Sequence, residues 1–310
     1  MNKFDKLMLV ADISAIRIVD ESAFEKNVIE NEVSSMRFHQ EKPYSLSIKI
    51  DYEEREAVVE FTGKILGADY PKLISEETII QCFESINAMG FCEIDIESMM
   101  DAEVTKCDVT KDIKCDDITK LTSFIRSHIS NYNSFICRLA RNNNLVLEKN
   151  VNSRKCKKRM TIYDKGREMS NAENRKFVAD NHLEGVFDGV CRFEMNLNSK
   201  KQIRESLGIT NTKLRSVLAS TSTPISDFVE VAVTQNPNEP DLSDKKEYIT
   251  MLVLKDCDYD LEQVEAKMRS FHKRGTKISE VMKPFRAMLD QMQNSESQIS
   301  LSELLGMLKS

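Results

Sequence analysis

The chain has 310 residues, of which 41% are hydrophobic, and a net charge of −6. That length allows one large domain or two ordinary ones with a sizeable core, and the lack of any apolar run of about 18 residues excludes a membrane-spanning helix. The eight cysteines form no Cys-x-x-Cys pair, which argues for reduced cytosolic thiols used as small hydrophobes, against a disulfide framework or a zinc site.

Residues 4–19 read as a strand and its continuation, entered from Met1-Asn-Lys-Phe-Asp-Lys6 without the pattern of a signal peptide. The mixed segment 21–33 reads as a short helix. Ser45–Tyr52 and Glu56–Leu66 alternate on either side of a charged turn, which predicts a hairpin. Leu46, Ile48 and Ile50 share a face of the first strand; Ala57, Val59 and Phe61 share a face of the second. Ser75 is a candidate N-cap for a helix that Gly90 stops, with Ile79, Ile80, Phe83 and Ile86 at helical spacing. Two alternating runs follow. Phe91–Glu97 puts Glu93, Asp95 and Glu97 on one face; Val104–Ile113 puts Lys106, Asp108, Thr110 and Asp112 on one face. A long amphipathic helix is expected from Asp117 to Arg141, ended by Asn142-Asn-Asn144, with His128 near its apolar stripe as a core residue. Short strands are expected at 145–147 and 158–163, then a helix over 170–182 capped by Ser170. The cleanest strand is Val190–Leu197, where Arg192, Glu194 and Asn196 oppose an apolar face. Ser199 caps a helix to Leu207, and Gly208 ends it. After about residue 210 the pattern changes. A helix at 214–218 precedes loops at Pro224 and at 235–240. A strand or helix start at 249–254 comes next, then amphipathic helices from Leu261 and Ile278, the second holding Pro284, and a last helix over 300–308.

These elements define an α+β fold: a central antiparallel sheet with helices packed on one face, an open polar face, and a C-terminal helical region. Residues 1–210 read as one domain and 211–310 as a second, mainly helical one. The polar face gathers Glu60, Glu93, Asp95, Glu97, Asp108, Asp112, Tyr163 and Glu194. Solvent-facing acids are ordinary, and Glu93, Asp95 and Glu97 are read that way. Asp108 and Asp112 differ, because Asp is depleted in strands and two on one face repel unless a cation binds. Oxygen ligands suit Mg²⁺ or Mn²⁺, which could polarise a phosphate oxygen.

The other marked stretch runs from Arg154 to Glu168. Arg154, Lys155, Lys157, Lys158, Arg159, Lys165 and Arg167 are its basic residues, with Asp164 the one acid up to Arg167. Met160 and Ile162 point one way; Arg159, Thr161 and Tyr163 point the other. Tyr163 is either a strand-end residue in a solvated basic segment or a phenol made nucleophilic by nearby cations. A tyrosine, carboxylates for a divalent ion and a basic flank to hold DNA are the parts of phosphodiester transesterification. The four histidines have no metal-like spacing, and no Gly-rich phosphate loop or Gly-x-Ser-x-Gly is present.

Four segments, in order, resemble the rolling-circle replication initiators of the Rep_trans type, found on small bacterial plasmids, and their relatives in filamentous phages. They are Ala57-Val-Val-Glu-Phe-Thr-Gly-Lys-Ile-Leu66, Val104-Thr-Lys-Cys-Asp108-Val-Thr-Lys-Asp112-Ile113, Arg159-Met-Thr-Ile-Tyr163-Asp-Lys165-Gly-Arg-Glu168 and Cys191-Arg192-Phe-Glu194-Met-Asn-Leu197. The resemblance covers residues 56–200. It implies a domain that nicks and rejoins one strand of a double-stranded origin with an extruded single strand, through a 5′-phosphotyrosyl link. Carried over, Tyr163 is the nucleophile. Asp108, Asp112, Glu60 and Glu194 are metal ligands, and Lys165 and Arg192 are phosphate or structural partners. Asn196 stands where the family has a second acid, and Cys191 where it has an aromatic residue. The implied setting is the cytoplasm of a bacterial host, with a host helicase or a second copy of the chain as partners of the C-terminal helices. A conjugative or mobile-element relaxase of the same chemistry, or a non-catalytic origin-binding protein, are the alternatives.

Overall fold

The structure, a computed structural model, describes residues 2–115, 117–129, 135–140, 144–149, 151, 158–233, 245–257, 260–271, 277–296 and 301–310. The protein is α+β. Its centre is a ten-stranded sheet whose neighbouring strands all run antiparallel.

The chain starts with β1 (Lys3–Asp12) and, after a 3-10 turn, the short β2 (Ile16–Ile18). The segment expected as a helix over 21–33 is instead a hairpin, β3 (Glu25–Ile29) and β4 (Glu32–Gln40). Glu30 and Asn31 both take positive φ, 49° and 70°. That turn twists with the strands it joins, and this local geometry overrides the helix-compatible composition. β5 (Leu46–Asp51) and β6 (Glu56–Thr62) form the second hairpin as expected, with Leu46, Ile48, Ile50, Ala57, Val59 and Phe61 buried. A 3-10 segment, Gly63–Lys72, leads to α1 (Ile79–Asn87). Gly90, at φ +81°, turns the chain after it.

The alternating run 91–97 is not a full strand. Only β7 (Cys92–Ile94) is extended, and it pairs with β2 in a separate two-stranded sheet. The side chain of Asp95 caps α2 (Ile96–Met100), Glu93 pairs with Arg17, and Glu97 pairs with Arg215. An N-cap aspartate therefore ends the strand, and these three acids leave the main sheet. β8 (Glu103–Lys114) is a central strand. The helix expected over 117–141 splits into α3 (Ile118–Ser127) and β9 (Phe135–Leu139). Asp117 caps α3 as its sequence position suggests, accepting from the Lys120 N–H at 3.0 Å. Buried His128 ends α3 and bonds the Phe124 carbonyl through Nδ1 at 2.8 Å. The stripe read as one helix thus serves a helix face and then an edge strand.

β10 (Leu145–Lys149) and β11 (Arg159–Asp164) follow. α4 (Lys165–Met169) and α5 (Arg175–Asp180) replace the helix expected over 170–182, and Ser170 is the C-cap of α4, not an N-cap. β12 (Val190–Leu197) and α6 (Lys200–Leu207) match their expected limits, with Ser199 accepting from the Gln202 N–H and Gly208 left-handed. α7 (Leu214–Leu218) precedes α8 (Pro224–Ala232), which Pro224 opens from the first-turn position where its missing N–H costs nothing. The loop expected at 235–240 lies outside the described residues. α9 (Lys245–Asp256), α10 (Leu261–Phe271), α11 (Ile278–Glu296) and α12 (Leu301–Lys309) complete the chain.

The strand order is β3-β4-β5-β6-β1-β8-β12-β11-β10-β9. One face of this sheet is the core, where Leu7, Val59, Cys107, Met160, Phe193 and Met195 meet α1, α3 and α6. The core does not stop at residue 210: Leu214, Val217, Val229 and, from α12, Leu304 and Leu308 belong to the same cluster. α9, α10 and α11 bury a second cluster of their own, built on Leu254, Val264, Met282 and Phe285. A third cluster, Tyr70, Leu73, Met169, Phe177, Leu183, Phe187 and Val190, covers one end of the otherwise open face. That end is where the candidate site lies.

Candidate active site

Three adjacent strands supply most of the site. β12 lies between β8 and β11, with Arg192 opposite Asp112 and Tyr163, and Asn196 opposite Asp108 and Arg159. Side chains alternate at period two, so antiparallel register brings these polar residues onto one face while Cys191, Phe193, Met195 and Leu197 enter the core. A fourth strand contributes through an irregularity. Between Phe4 and Lys6 the register of β1 against β8 shifts, so one extra residue, Asp5, enters the strand. The bulge turns Asp5 and Lys6 toward the open face while Phe4 and Leu7 stay in the core.

Asp5 meets Arg192. The Arg192 guanidinium donates to Asp112 through Nε and Nη2, both at 2.7 Å, to Asp5 Oδ1 at 2.9 Å and to the Tyr70 hydroxyl at 3.0 Å. Tyr70 donates in turn to Asp5 Oδ1 at 3.0 Å. Arg192 is fully buried. Burial works against its charge, but Tyr70, Asp5 and Asp112 hold it protonated. Of its two expected roles, the geometry fits structural partner: its donors already face protein oxygens. Lys165 is also buried, bonded to Glu168 and placed 5.0 Å from the Tyr70 ring centre and 5.8 Å from that of Tyr163. Burial and then the Arg192 charge lower its pKa. Glu168 also accepts from Asn174, whose amide oxygen accepts from Lys64 at 2.8 Å.

Tyr163 is half-buried, and its hydroxyl donates to Glu194 Oε2 at 3.1 Å. Its pKa is not lowered by cations, as the basic stretch suggests, but raised well above the usual value, first by burial and then by the Glu194 charge. Arg192 opposes the rise without reversing it. The phenol therefore needs a base, and Glu194 is in contact with it. Burial, reinforced by the charges of Asp5 and Asp108, pushes the Glu194 carboxyl up to about 7. That places a proton acceptor on Tyr163 near neutrality.

The expected metal ligands divide into two pairs. Asp112 is engaged bidentately by Arg192, and Glu60 pairs with Lys6. Asp108 and Glu194 remain, both approached by the Asn196 amide, at 2.7 Å to Asp108 Oδ1 and 3.4 Å to Glu194 Oε1. Burial, then the charges of Asp5 and Glu60, raises the Asp108 carboxyl, while the Asn196 bond opposes the rise. Among the described residues no three His, Cys, Asp or Glu side chains form a metal-holding group. A Mg²⁺ ion takes one or two carboxylates and completes its shell with water and substrate phosphate, so Asp108 and Glu194 fit that requirement and Asp112 does not.

Of the expected DNA contacts, Arg154, Lys155 and Lys157 lie outside the described residues. Arg159 and Arg167 are exposed. Lys158 has the parity of Met160 and faces the helix side, where it is half-buried beside a cavity of about 250 Å³ with Glu205 and Asp227. Burial lowers its pKa. The residues that the sequence does not point to are Asp5 and Tyr70, together with the positive contribution of Asn196; Glu168 lies in the matched segment but without a role. Asp5 is hidden because a bulge is set by the partner strand. Tyr70 is hidden because the 3-10 segment has no periodicity to place it. No family model matches the chain, and neither the curated proteins nor the solved structures contain a significant match to it.

Proposed function

We propose that the protein is a DNA strand transferase that nicks and rejoins one strand at a replication origin through Tyr163, initiating rolling-circle replication of a plasmid or phage. The observation that carries this reading is the Tyr163 hydroxyl donating at 3.1 Å to Glu194, on a carboxylate-bearing sheet face. Glu194 takes the phenolic proton, and the phenolate oxygen attacks the scissile phosphorus. The new O–P bond forms as the bond to the 3′-oxygen breaks. The 3′-oxygen leaves and takes up a proton, and a 5′-phosphotyrosyl ester remains. Resealing is the reverse displacement by a 3′-hydroxyl. Mg²⁺ or Mn²⁺ held by Asp108, its shell completed by water and substrate phosphate, would polarise the phosphate and stabilise the developing charge. Asp5, Asp112 and Tyr70 fix Arg192, and Lys165 with Glu168 forms the wall beside the phenol, so the Tyr163–Glu194 pair is positioned before substrate arrives. The bacterial cytoplasm, origin DNA, and a helicase or second copy as partners belong to this reading. Among the described residues no helix is long and apolar enough to cross a membrane.

The test is supercoiled origin plasmid incubated with Mn²⁺, with open circles counted. Wild-type protein should nick and Tyr163→Phe should lose at least about 10³-fold, as expected when a covalent nucleophile is removed. Equal nicking by Tyr163→Phe would remove the tyrosine from the mechanism.

A further inference from the structure

The open face continues past Tyr163. Beyond β1 the sheet adds β6, β5, β4 and β3, and a groove of about 470 Å³ runs over these strands. Met8 and Glu60 form the side nearest the candidate site, and Arg37 and Lys49 form the floor. Glu25 and Lys26 form the far side. Lys6 links groove and site, since it pairs with Glu60 and stands opposite Asp108 in the β1–β8 register.

Two features give the chemistry of what the groove would take. First, Arg37 and Lys49 are direct cross-strand partners, an arrangement in which like charges repel. Asp51 answers Lys49 at 2.8 Å; Glu25 stands opposite Arg37 in the β3–β4 register, but exposed Arg37 makes no ion pair among the described residues, so its guanidinium remains available to an anionic ligand. Second, no aromatic side chain among the described residues lines the groove, so they offer no platform on which a base could stack. A sugar–phosphate backbone meets both conditions. Position adds a third argument. Six strand spacings separate β4 from β11, about 29 Å at ~4.8 Å each, and half-buried Tyr163 is reached more readily by an extended single strand than by a duplex.

We propose that this groove holds the phosphate backbone of the same single DNA strand whose scissile phosphate meets Tyr163. The inference rests on the nicking reading for its substrate, and it makes Arg37 and Lys49 sequence-independent contacts. The test uses the full chain carrying Tyr163→Phe and a labelled single-stranded oligonucleotide of mixed sequence, with binding followed by anisotropy over a salt series. Adding Arg37→Gln and Lys49→Gln should weaken binding and reduce the slope of log K against log salt by about 1.4, or ~0.7 for each lost phosphate contact. Arg37→Lys alone should keep the slope. An unchanged slope in the double variant overturns the proposal, as does an equal loss on a duplex of the same length. The two readings fail separately. A reduced slope with no covalent adduct from the wild-type chain keeps the groove and removes the nicking chemistry; an adduct with an unchanged slope does the opposite.

Discussion

Arg192 cannot swing out to a phosphate without leaving Asp112 and Asp5 uncompensated in a half-buried setting. Breaking such a network at one partner costs about 3–5 kcal/mol. Arg192→Met should therefore lower the unfolding free energy by that amount, read as a lower urea midpoint at unchanged m-value, and a midpoint equal to wild type would show that the network is not structural. Glu194 gives a second expectation at this scale. Its folded carboxyl titrates near 7, above the ordinary value of the unfolded chain. Between those two values the folded protein holds a proton that the unfolded chain has released. Stability should thus fall as pH rises through about 4.5 to 7, by roughly 1–3 kcal/mol. In EDTA, chemical denaturation at a series of pH values should show this decline, and Glu194→Gln should flatten it; a decline of equal size in the variant would assign it to other groups. Alternation in the sequence is enough to put Tyr163, Arg192, Glu194, Asp108 and Asp112 on one face. It cannot give the sign of the Tyr163 shift, because the neighbours that matter are Glu194 across the ladder and the buried wall, not Arg159 along the chain.

At the scale of elements, the site depends on where strands hand over to tight turns and short helices. Asp164 caps α4 by accepting from the Arg167 N–H at 2.9 Å, so Lys165 turns inward directly after Tyr163. Gly166 lets this happen: a Cβ there would stand 2.8 Å from the Phe187 carbonyl oxygen. Gly166→Ala should push α4 from the 183–190 loop and cost about 1–3 kcal/mol. It should also slow nicking, because Lys165 moves with α4; wild-type stability and rate in this variant would contradict the close approach. Elements whose signals are local were legible, as with Ser199 and Gly208 bounding α6, or the second hairpin at 46–62. Those decided by partners were not. The β1 bulge, the diversion of 92–94 into a separate sheet, and the division of 117–141 into α3 and β9 each depend on what lies opposite in space.

Across the whole molecule, a single sheet carries two polar regions on one face. The strands β1, β8, β12 and β11 carry the Tyr163–Glu194 pair and its supporting charges, and β3 to β6 extend the same face as a groove. α12 packs its Leu304 and Leu308 into the main core, while α9 to α11 keep a separate apolar cluster. The sequence shows the change of character after residue 210, but hydrophobic periodicity does not reveal which cluster a helix joins. The α+β class was legible for a simple reason: alternating strands with one apolar face need helices to cover that face, and little else satisfies them. On the nicking reading, the phenolic oxygen of Tyr163 becomes the atom that carries DNA. Wild-type chain should be incubated with a single-stranded origin oligonucleotide and Mn²⁺, digested with protease and nuclease, and mapped by mass spectrometry. A nucleotide remnant is expected on the phenolic oxygen of Tyr163 in the peptide that spans Arg159–Arg167; a remnant on another residue, or cleavage with no protein-linked DNA at all, would rule the tyrosine out.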